Sequence, residues 1–304
     1  MSILVSMEEA IRRFVADGDA VAMGTGLESL IPFAAGHEII RLGRRDLTLI
    51  GPISDVLFDQ LIGAGCVARV VAAWVGNVSE GLGHAYRRAV ERGVPRPIAV
   101  EDHSNFSIAL GLLAASMGVP FLPTRSLLGT DLLQSNPKLR VRQDPDTGER
   151  LVFVPAIAPD VTILHCQRSD ADGNAHTWGN LGVSEEAALA AKRVIVGAEE
   201  IVGPEVISSD PNRILVPALK VCAVVHEPWG AHPSPVQGHY NRDHAFFREY
   251  HEGSRTAERL KAWLDRWVLE IKDRRGYVRL LGQERCDALH VKHHRYAAPV
   301  DYGY

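Results

Sequence analysis

The chain has 304 residues, a hydrophobic content of 46%, a charged content of 23% and a formal net charge of −4. This composition excludes a disordered or fibrous protein and suffices for the core of one large α/β domain or two smaller ones. Basic residues run no longer than two in succession, as at Arg44-Arg45 and Arg274-Arg275, so nucleic acid is not an expected partner.

The N-terminal segment predicts a helix, a strand and a glycine turn. Residues 7–16 place apolar side chains on one helical face, and residues 20–23 form the first predicted strand. Gly24-Thr25-Gly26 follow, and then a helix over residues 32–41. The backbone N–H groups of such a turn suit a phosphate, a carboxylate or a thioester oxyanion. The glycines equally suit a tight strand-to-helix turn that binds nothing.

Short apolar strands alternate with helical patterns in the next segment. Strands are predicted at 47–50, 67–75 and 98–100, and helices at 55–62 and 85–92. The continuous apolar character of residues 70–75 is typical of a strand covered by helices on both faces. Glu101 directly follows a predicted strand. We therefore expect it at the carboxyl end of that strand, where open α/β sheets bind ligands.

The stretch 100–131 predicts one wall of a site. Ser104 is a candidate N-cap, and the helix that it begins should end near Gly118. The prolines that bracket Phe121-Leu122 predict a buried edge strand or an extended crossing. Adjacent residues of a strand point to opposite faces, so Glu101-Asp102 is not expected to form a dyad that shares a proton.

Residues 134–150 are polar and predict a surface excursion with a turn at 144–148. Two strands are predicted after it, at 151–154 and 161–166. Residues 170–174 are rich in oxygen atoms but lack the ligand spacing of a calcium loop, so they predict a tight turn.

The alternation of strands and helices continues to the C-terminal region. The remaining predictions are a helix at 184–193, a strand at 194–196, an irregular segment from Glu199-Glu200, a strand at 221–225 and an amphipathic helix at 257–271. Together the elements predict an α/β fold, a three-layer sandwich with a mostly parallel sheet. We predict one domain over residues 1–282, which includes a helical appendage at 235–282, and a C-terminal tail at 283–304.

The sequence favours neither a metal centre nor a serine hydrolase. Four histidines are closely spaced, namely His232, His239, His244 and His251. They do not form the H-E-x-x-H pattern, and their spacing fixes no ligand face, so no metal site is predicted. The chain has no G-x-S-x-G motif, and its candidate serines have no evident histidine and aspartate partners.

The cysteines and the hydropathy of the chain indicate its compartment. The four cysteines are Cys66, Cys166, Cys222 and Cys286, and none forms a C-x-x-C motif. The chain shows no signal-peptide pattern and no long apolar run. We therefore expect a cytoplasmic protein that does not enter a membrane and whose thiols are small core residues.

A series of short motifs runs in collinear order along residues 7–282. It comprises Ala20-Val21-Ala22-Met23-Gly24, Leu61-Ile62-Gly63-Ala64-Gly65, Glu101-Asp102-His103-Ser104, Gly118-Val119-Pro120-Phe121-Leu122-Pro123, residues 169–174 with Trp178-Gly179, Glu199-Glu200-Ile201 and Gly230-Ala231-His232-Pro233-Ser234. Each motif alone is weak, whereas the series in order is specific. Together the motifs resemble the α subunit of family I CoA-transferases.

This resemblance implies a CoA-transferase-like fold and a homologous β subunit, in a heterodimer or an α2β2 heterotetramer, with the active site between the subunits. In such transferases the nucleophilic glutamate belongs to the β subunit, where it forms acyl anhydride and glutamyl-CoA thioester intermediates. The implied substrates are an acyl-CoA and a small carboxylic acid, with coenzyme A as substrate and no cofactor. The implied site residues are Glu101 as the catalytic candidate and, for substrate or oxyanion binding, Gly24, Thr25, Gly26, Ser104, Arg125 and Gly129.

The resemblance leaves alternatives open. Many relatives have Gly-Gly-Phe where this chain has Gly24-Thr25-Gly26, so Thr25 adds a side chain where glycine lets the backbone approach closely. A related group opens a carbocyclic ring in a CoA thioester by adding water, and it relies on an α-subunit glutamate near the position of Glu101. A CoA-ester hydrolase or ring-opening hydrolase with Glu101 as general base is therefore the alternative. A structural role for Glu101 near the cap of the following helix, and a ligand-binding module without catalysis, also stay open.

Overall fold

The computed structural model describes residues 2–291. The strands are β1 (Ala20–Ala22), β2 (Leu47–Ile53), β3 (Val67–Trp74), β4 (Ala99–Asp102), β5 (Phe121–Thr124), β6 (Arg140–Gln143), β7 (Arg150–Pro155), β8 (Val161–Ser169), β9 (Ala175–His176), β10 (Arg193–Ile201), β11 (Ile214–Val216) and β12 (Val221–His226). The α-helices are α1 (Met7–Phe14), α2 (Phe33–Arg41), α3 (Val56–Gly63), α4 (His84–Arg92), α5 (Asn105–Ser116), α6 (Leu132–Ser135), α7 (Ser184–Ala190), α8 (Pro204–Ser208), α9 (His244–Ser254), α10 (Ala257–Leu264), α11 (Arg274–Leu281) and α12 (Gln283–Leu289).

The main sheet has nine strands. Seven of them run parallel in the spatial order β12-β10-β8-β1-β2-β3-β4. The short strands β9 and β11 add antiparallel pairs beside the end of β8. From β1 the chain moves outward through β2, β3 and β4, whereas β8, β10 and β12 lie on the other side of β1. The predicted mostly parallel sheet is confirmed.

Helices cover both faces of this sheet, because neighbouring residues of its strands point to opposite sides. Leu49 and Val70 pack in the cluster that contains residues of α1 to α4 and of the C-terminal helices. Ile50 and Val71, the next residues along the same strands, pack against α5 and α7. The result is the predicted three-layer sandwich.

A second sheet, in the order β5-β7-β6, is antiparallel throughout. One face buries Val152 and Val154 of β7 against leucines of the neighbouring loops. The opposite face is open, and Phe121 at the start of β5 is 38% exposed. The predicted edge strand at Phe121-Leu122 is confirmed. The expectation that it is buried is wrong for Phe121, because the sheet is covered on one face and Phe121 lies on the other.

Three local predictions need correction. The polar segment 134–150 is not a simple excursion, since it contains part of α6 and the strand β6, which pairs with β7. Glu199-Glu200 are not irregular but lie within β10, between β8 and β12. The helix predicted at 257–271 changes to π-helical hydrogen bonding over Asp265–Leu269.

The predicted helical appendage at 235–282 contains α9, α10 and α11. These helices pack on the α2 and α3 side of the sheet through large apolar side chains such as Phe247, Leu260 and Trp263. The predicted tail at 283–304 begins with α12 and is described only as far as residue 291. The division of the chain into domain and tail stays a prediction.

Candidate active site

Gly24, Thr25 and Gly26 lie where the strand order of the main sheet reverses. They directly follow Met23, the first residue after β1, and β1 lies between β8 and β2. Open α/β sheets bind ligands outside the carboxyl ends of their strands at such a switch point. The topology therefore places the glycine turn where a ligand of this fold class is expected.

The backbone of this turn is buried, and its donors are unused. Gly24 has a φ of +69°, and a Cβ atom there would lie 2.4 Å from Ser54 Oγ, so the position requires glycine. Among residues 2–291, no acceptor lies within hydrogen-bonding distance of the N–H groups of Gly24, Thr25 and Gly26. Buried backbone N–H groups are rarely left unpaired. Three in succession indicate a partner, either a ligand or another subunit.

The side chain of Thr25 is directed into the protein. Its Oγ1 lies 2.8 Å from Ser184 Oγ at the start of α7, and its carbonyl oxygen accepts the Val183 N–H at 2.9 Å. A Cβ atom at Gly182 would lie 2.1 Å from that carbonyl oxygen, so the segment before α7 packs closely on the turn. The Thr25 side chain therefore contacts the core.

A buried aspartate follows β2, next to the glycine turn. Asp55 has a φ of +46°, and its carboxylate accepts hydrogen bonds from Arg242 Nη2 at 2.6 Å and from the Val78 N–H at 3.1 Å. Burial raises the pKa of Asp55 above its ordinary value, although Arg242 opposes that effect. Positive φ at a residue other than glycine stores strain, and such strain clusters at functional sites.

Arg242 connects this aspartate to a cavity of about 1000 Å³. Its Nη2 also contacts Ser79 Oγ at 3.1 Å, while its Nη1 is buried and has no acceptor among residues 2–291. The segment 235–238 lines the same cavity and touches the loop after β1, because the Leu30 N–H donates to Pro235 O at 3.1 Å. The cavity therefore adjoins the carboxyl ends of β1, β2 and β3.

Glu101 occupies the outer end of the same sheet edge. It lies near the end of β4, where it pairs with Val71 of β3, so its predicted position is confirmed. Its side chain is 10% exposed, and its carboxylate accepts hydrogen bonds from Lys138 Nζ at 2.6 Å and His103 Nε2 at 3.2 Å. Arg69 Nη1 lies 3.5 Å away.

These neighbours fix the charge of Glu101. Burial raises its pKa, but the hydrogen bonds from His103 and Lys138 outweigh burial and lower the pKa of Glu101 to about 2. The carboxylate is therefore ionised at neutral pH. A group with so low a pKa is a weak general base. Glu101 lines an open cleft of about 470 Å³ between the sheet and residues 155–158.

Two strands separate Glu101 from the glycine turn. At a strand spacing of roughly 4.8 Å, β1 and β4 lie about 14 Å apart. The structure therefore places Glu101 and the turn at the same sheet edge but outside mutual hydrogen-bonding range.

The other predicted site residues lie at the start of α5 and in the loop after β5. Ser104 accepts the Ser107 N–H at 3.0 Å in a capping box, so its predicted role as an N-cap is confirmed. Arg125 is 69% exposed and pairs with Glu149 at 2.7 Å. Gly129 has a φ of +81° and open space around its Cβ position. Their roles in binding stay predictions.

A second carboxylate–histidine pair is enclosed in the core. Glu199 has a side chain that is 4% exposed and accepts hydrogen bonds from His165 Nε2 at 2.7 Å, Tyr240 Oη at 2.6 Å and the Trp229 N–H at 2.7 Å. Burial opposes ionisation, yet these three donors together lower the pKa of Glu199. Both carboxylate oxygens are satisfied by the protein itself.

The four histidines that are closely spaced in sequence are not gathered at one point. His232 is fully buried and contacts Asp243 Oδ2 at 3.0 Å and Tyr277 Oη at 2.8 Å. No group of three or more potential metal ligands occurs among residues 2–291. The predicted tight turn at 170–174 is confirmed, because Asp170 Oδ1 accepts the N–H groups of the three residues 172–174.

Sequence reasoning missed several residues of these clusters. Lys138 lies 37 positions from Glu101, and Arg242 lies 187 positions from Asp55. The alternation of cationic and apolar residues over 138–142 could have predicted β6 and hence one face for Lys138. No local signal pairs Arg242 with Asp55.

The sequence matches a known family over most of its length. The family described as Coenzyme A transferase matches residues 4–227. The α subunit of 3-oxoadipate CoA-transferase from Pseudomonas knackmussii is 42% identical over 273 residues, which cover 90% of this chain and 96% of the relative. The α subunit of glutaconate CoA-transferase from Acidaminococcus fermentans is 34% identical over 308 residues, which cover 96% of this chain and 95% of the relative.

The fold agrees with these relatives. The crystal structure of glutaconate CoA-transferase from Acidaminococcus fermentans superposes with a TM-score of 0.92, and the alignment covers 99% of each chain. The cholesterol ring-cleaving hydrolase IpdA subunit of Mycobacterium tuberculosis is also similar, at 31% identity over 238 residues, covering 74% of this chain and 79% of the relative. Both its identity and its coverage are below those of the transferase subunits. In the part of the chain that the structure describes, no helix combines the length and the apolar character needed to cross a bilayer.

Proposed function

The chain belongs to the Coenzyme A transferase family as the α subunit of a heteromeric CoA-transferase, and on that premise we propose that it transfers CoA from an acyl-CoA thioester to a short dicarboxylic acid. A homologous β subunit completes the active site. In this proposal a glutamate of the β subunit first attacks the thioester carbonyl, which forms an acyl-glutamyl anhydride and releases the CoA thiolate. The thiolate then attacks the glutamyl carbonyl of the anhydride, which releases the first acid and leaves a glutamyl-CoA thioester. The carboxylate of the second acid attacks that thioester to form a second anhydride and release the thiolate, which then attacks the acyl carbonyl to give the new acyl-CoA and the free glutamate.

The unpaired N–H groups of the glycine turn carry this proposal. Each acyl transfer passes through a tetrahedral species whose oxygen becomes negatively charged, and fixed backbone donors stabilise that charge in the transition state. Gly24, Thr25 and Gly26 present three such donors at the switch point of the sheet. We therefore assign these residues to the oxyanion site.

The substrate class follows from the relatives and from one arginine. 3-Oxoadipate and glutaconate, the acids in the names of the two transferase relatives, are both dicarboxylates. A dicarboxylate that reacts at one end needs a cation for the other end. Arg242 lines the neighbouring cavity with a buried Nη1 that has no acceptor among the described residues, and guanidinium groups bind carboxylates well. We propose Arg242 as the anchor of the distal carboxylate.

Glu101 favours transfer over hydrolysis. A hydrolase that uses Glu101 as its base needs a carboxylate that accepts a proton near neutral pH, whereas Lys138 and His103 lower the pKa of Glu101 to about 2. We propose that Glu101 acts as a fixed negative charge that orients Lys138. Ser104, Arg125 and Gly129 complete the residues that we assign to the substrate side.

The finer assembly and the cellular setting are part of the same proposal. We propose a heterodimer or an α2β2 heterotetramer in the cytoplasm, with coenzyme A as a substrate and without a cofactor. The mass of the complex measured by light scattering distinguishes the two assemblies.

The proposal is tested by reconstituting the chain with the β subunit encoded beside it. We expect exchange of CoA between an acyl-CoA and a dicarboxylate such as 3-oxoadipate, and no exchange when either of the two chains is present alone. Hydroxylamine should trap a glutamyl thioester on the β subunit during turnover. Release of free CoA and acid at the same rate without an acceptor, together with no trapped glutamate, would instead support the hydrolase.

A further inference from the structure

We propose that a cleft beside β12, the outermost strand of the main sheet, binds an α-amino acid with an apolar side chain. This β12 cleft has a volume of about 560 Å³ and lies between the starts of α1 and α11, the helix α2 and the end of β12. In the sheet, β8 and β10 separate β12 from β1. The described lining residues all differ from those of the cavity beside Arg242. The inference therefore goes beyond the proposed transfer of CoA and does not depend on it.

Arg274 supplies an unused donor in the β12 cleft. The residue is 4% exposed, and one edge of its guanidinium group is fully engaged. Nε and Nη2 donate to Trp229 O at 2.8 and 2.6 Å, and Nη2 also donates to His232 O at 2.6 Å. Nη1 lies on the opposite edge of the group and has no acceptor among residues 2–291. Buried N–H donors are rarely left unpaired, so this one indicates an anionic group of a ligand.

Glu227 supplies an unused acceptor in the same cleft. It directly follows β12, and its backbone is fixed, because its N–H donates to Ala198 O at 2.8 Å and its carbonyl oxygen accepts the Gly230 N–H at 2.9 Å. Its carboxylate, by contrast, has no hydrogen bond and no cationic nitrogen within 4.0 Å in the part of the chain that the structure describes. A fixed backbone thus holds a free carboxylate at the wall of the cleft.

The surroundings of Glu227 favour a cationic partner. The pKa of Glu227 is raised to about 7, chiefly because the carboxyl group is buried. Arg274 and Arg41 oppose this effect, whereas Glu38 and Asp273 add to it. Arg41 is already engaged, since its Nη2 contacts Glu38 Oε2 at 2.6 Å. An ammonium group beside Glu227 therefore stabilises the ionised carboxylate, and its binding releases a proton near neutral pH.

The unused donor and the unused acceptor together select a zwitterion. A simple anion at Arg274 would meet the negative charge of Glu227, and a simple cation at Glu227 would meet the positive charge of the guanidinium group. An α-amino acid carries an ammonium group and a carboxylate on one carbon atom, so it satisfies both residues at once. Glu227 and Arg274 are more than 4.0 Å apart, too far for a direct ion pair, and the ligand lies between them.

The remaining wall of the β12 cleft selects the side chain of the ligand. Leu4, Met7, Ala34 and Val225 give this wall its apolar character. Leu4 is 38% exposed, so part of the apolar surface is accessible. An apolar side chain that covers this surface is removed from water, which favours binding. The cleft therefore favours an amino acid such as leucine over a polar one such as serine.

The test uses the complete complex of this chain with its β subunit, without acyl-CoA. Calorimetry at about pH 6.5, below the pKa of Glu227, measures the binding of L-leucine, and buffers with different heats of ionisation report the protons released. Two analogues that each lack one charge, isocaproate and isoamylamine, are measured by their ability to displace leucine, as is L-serine. The variant Glu227→Gln is compared with the control Glu258→Gln, which changes an exposed glutamate of α10.

We expect leucine to bind the wild-type complex and the control alike, with release of protons, and each analogue to compete at least about tenfold more weakly. Serine should also compete more weakly than leucine. Glu227→Gln should weaken the binding of leucine about tenfold or more and abolish the release of protons.

Three results would overturn the inference: no binding of leucine to the wild-type complex, equal competition by isocaproate, or unchanged affinity for leucine in Glu227→Gln. Loss of the β subunit from a folded Glu227→Gln chain would also overturn it, because the cleft would then belong to the subunit interface. The comparison of leucine with its analogues uses the wild-type complex, so it decides the question even if the variant fails to fold.

Discussion

Two carboxylate–histidine pairs in this molecule have the same chemistry and different surroundings. Glu199 and His165 lie within the sheet, and Tyr240 and a backbone N–H complete the coordination of the carboxylate. Glu101 and His103 lie at the sheet edge, where the carboxylate also contacts a lysine whose side chain is 55% exposed. Both carboxylates have a lowered pKa.

The difference shows that a perturbed pKa alone does not identify a functional residue. The donors around Glu199 satisfy both of its carboxylate oxygens, and its side chain is 4% exposed. Glu101 opens onto a cleft, and its lysine can exchange the carboxylate for an anionic ligand. A carboxylate that a ligand can reach, and whose partner can bind that ligand instead, is therefore a candidate for the site. A carboxylate that is enclosed and fully hydrogen-bonded stabilises the fold.

The enclosed pair should respond mainly in stability. Glu199→Ala removes a buried acceptor and leaves His165, Tyr240 and the Trp229 N–H without their hydrogen-bond partner. We expect a loss of about 3 kcal/mol or more in the free energy of unfolding, measured by urea denaturation. The control Tyr240→Phe keeps the ring stacked on Trp229 and should cost about 1 kcal/mol. If the Glu199→Ala protein were as stable as wild type but inactive, Glu199 would belong to the active site rather than to the core.

The open pair should respond mainly in activity. Glu101→Gln keeps the size of the side chain but removes the charge that holds Lys138. We expect kcat/KM of the complex to fall about 10- to 100-fold, because a misplaced cation weakens substrate positioning, and we expect a smaller loss in the free energy of unfolding than for Glu199→Ala. Lys138→Met should give a similar loss. A fall above roughly 10³-fold confined to kcat would instead indicate general-base catalysis, and unchanged activity would make Glu101 structural.

The fold could be predicted further than the site. Adjacent strand residues such as Leu49 and Ile50 are both apolar, which indicates a sheet covered on both faces. This pattern can be read from a short stretch of sequence. The switch point also follows from the strand order once the family is recognised. By contrast, the ends of the Asp55–Arg242 and Glu101–Lys138 pairs lie far apart in sequence, and only the folded chain brings them together.

The second sheet shows why polarity is a poor guide to secondary structure. Residues 134–150 are polar because β6 lies on an open face, although a polar composition by itself predicts a loop. Alternation over Arg140-Val141-Arg142 is the better indicator, since Val141 packs into the cluster beneath the sheet. The composition of a segment indicates how exposed it is, whereas the periodicity of its apolar residues indicates whether it forms a strand or a helix.

A pH titration should sharpen the comparison between the two pairs. Both carboxylates have a folded pKa below the ordinary 4.5 of glutamate. Each therefore adds stability that is fully present above about pH 4.5 and is lost as the pH falls toward the folded pKa. We expect Glu199→Gln and Glu101→Gln each to flatten the fall in urea midpoint between pH 6 and pH 3, because each variant removes a carboxylate whose pKa is lowered on folding. A slope unchanged from wild type in either variant would contradict the lowered pKa of that carboxylate.

The smallest expected effect concerns Thr25, which belongs both to the candidate site, through its backbone, and to the core, through its side chain. Its N–H is one of the unpaired donors of the turn, while its hydroxyl contacts Ser184 in the core. Thr25→Val keeps the backbone and the shape but removes the hydroxyl, so we expect a loss of about 1 kcal/mol in stability and little change in kcat or in the preferred acid. Thr25→Ser keeps the hydroxyl and should match wild type in both. A changed acid preference in Thr25→Val, with Thr25→Ser unchanged, would show that the hydroxyl acts on the substrate rather than on the fold.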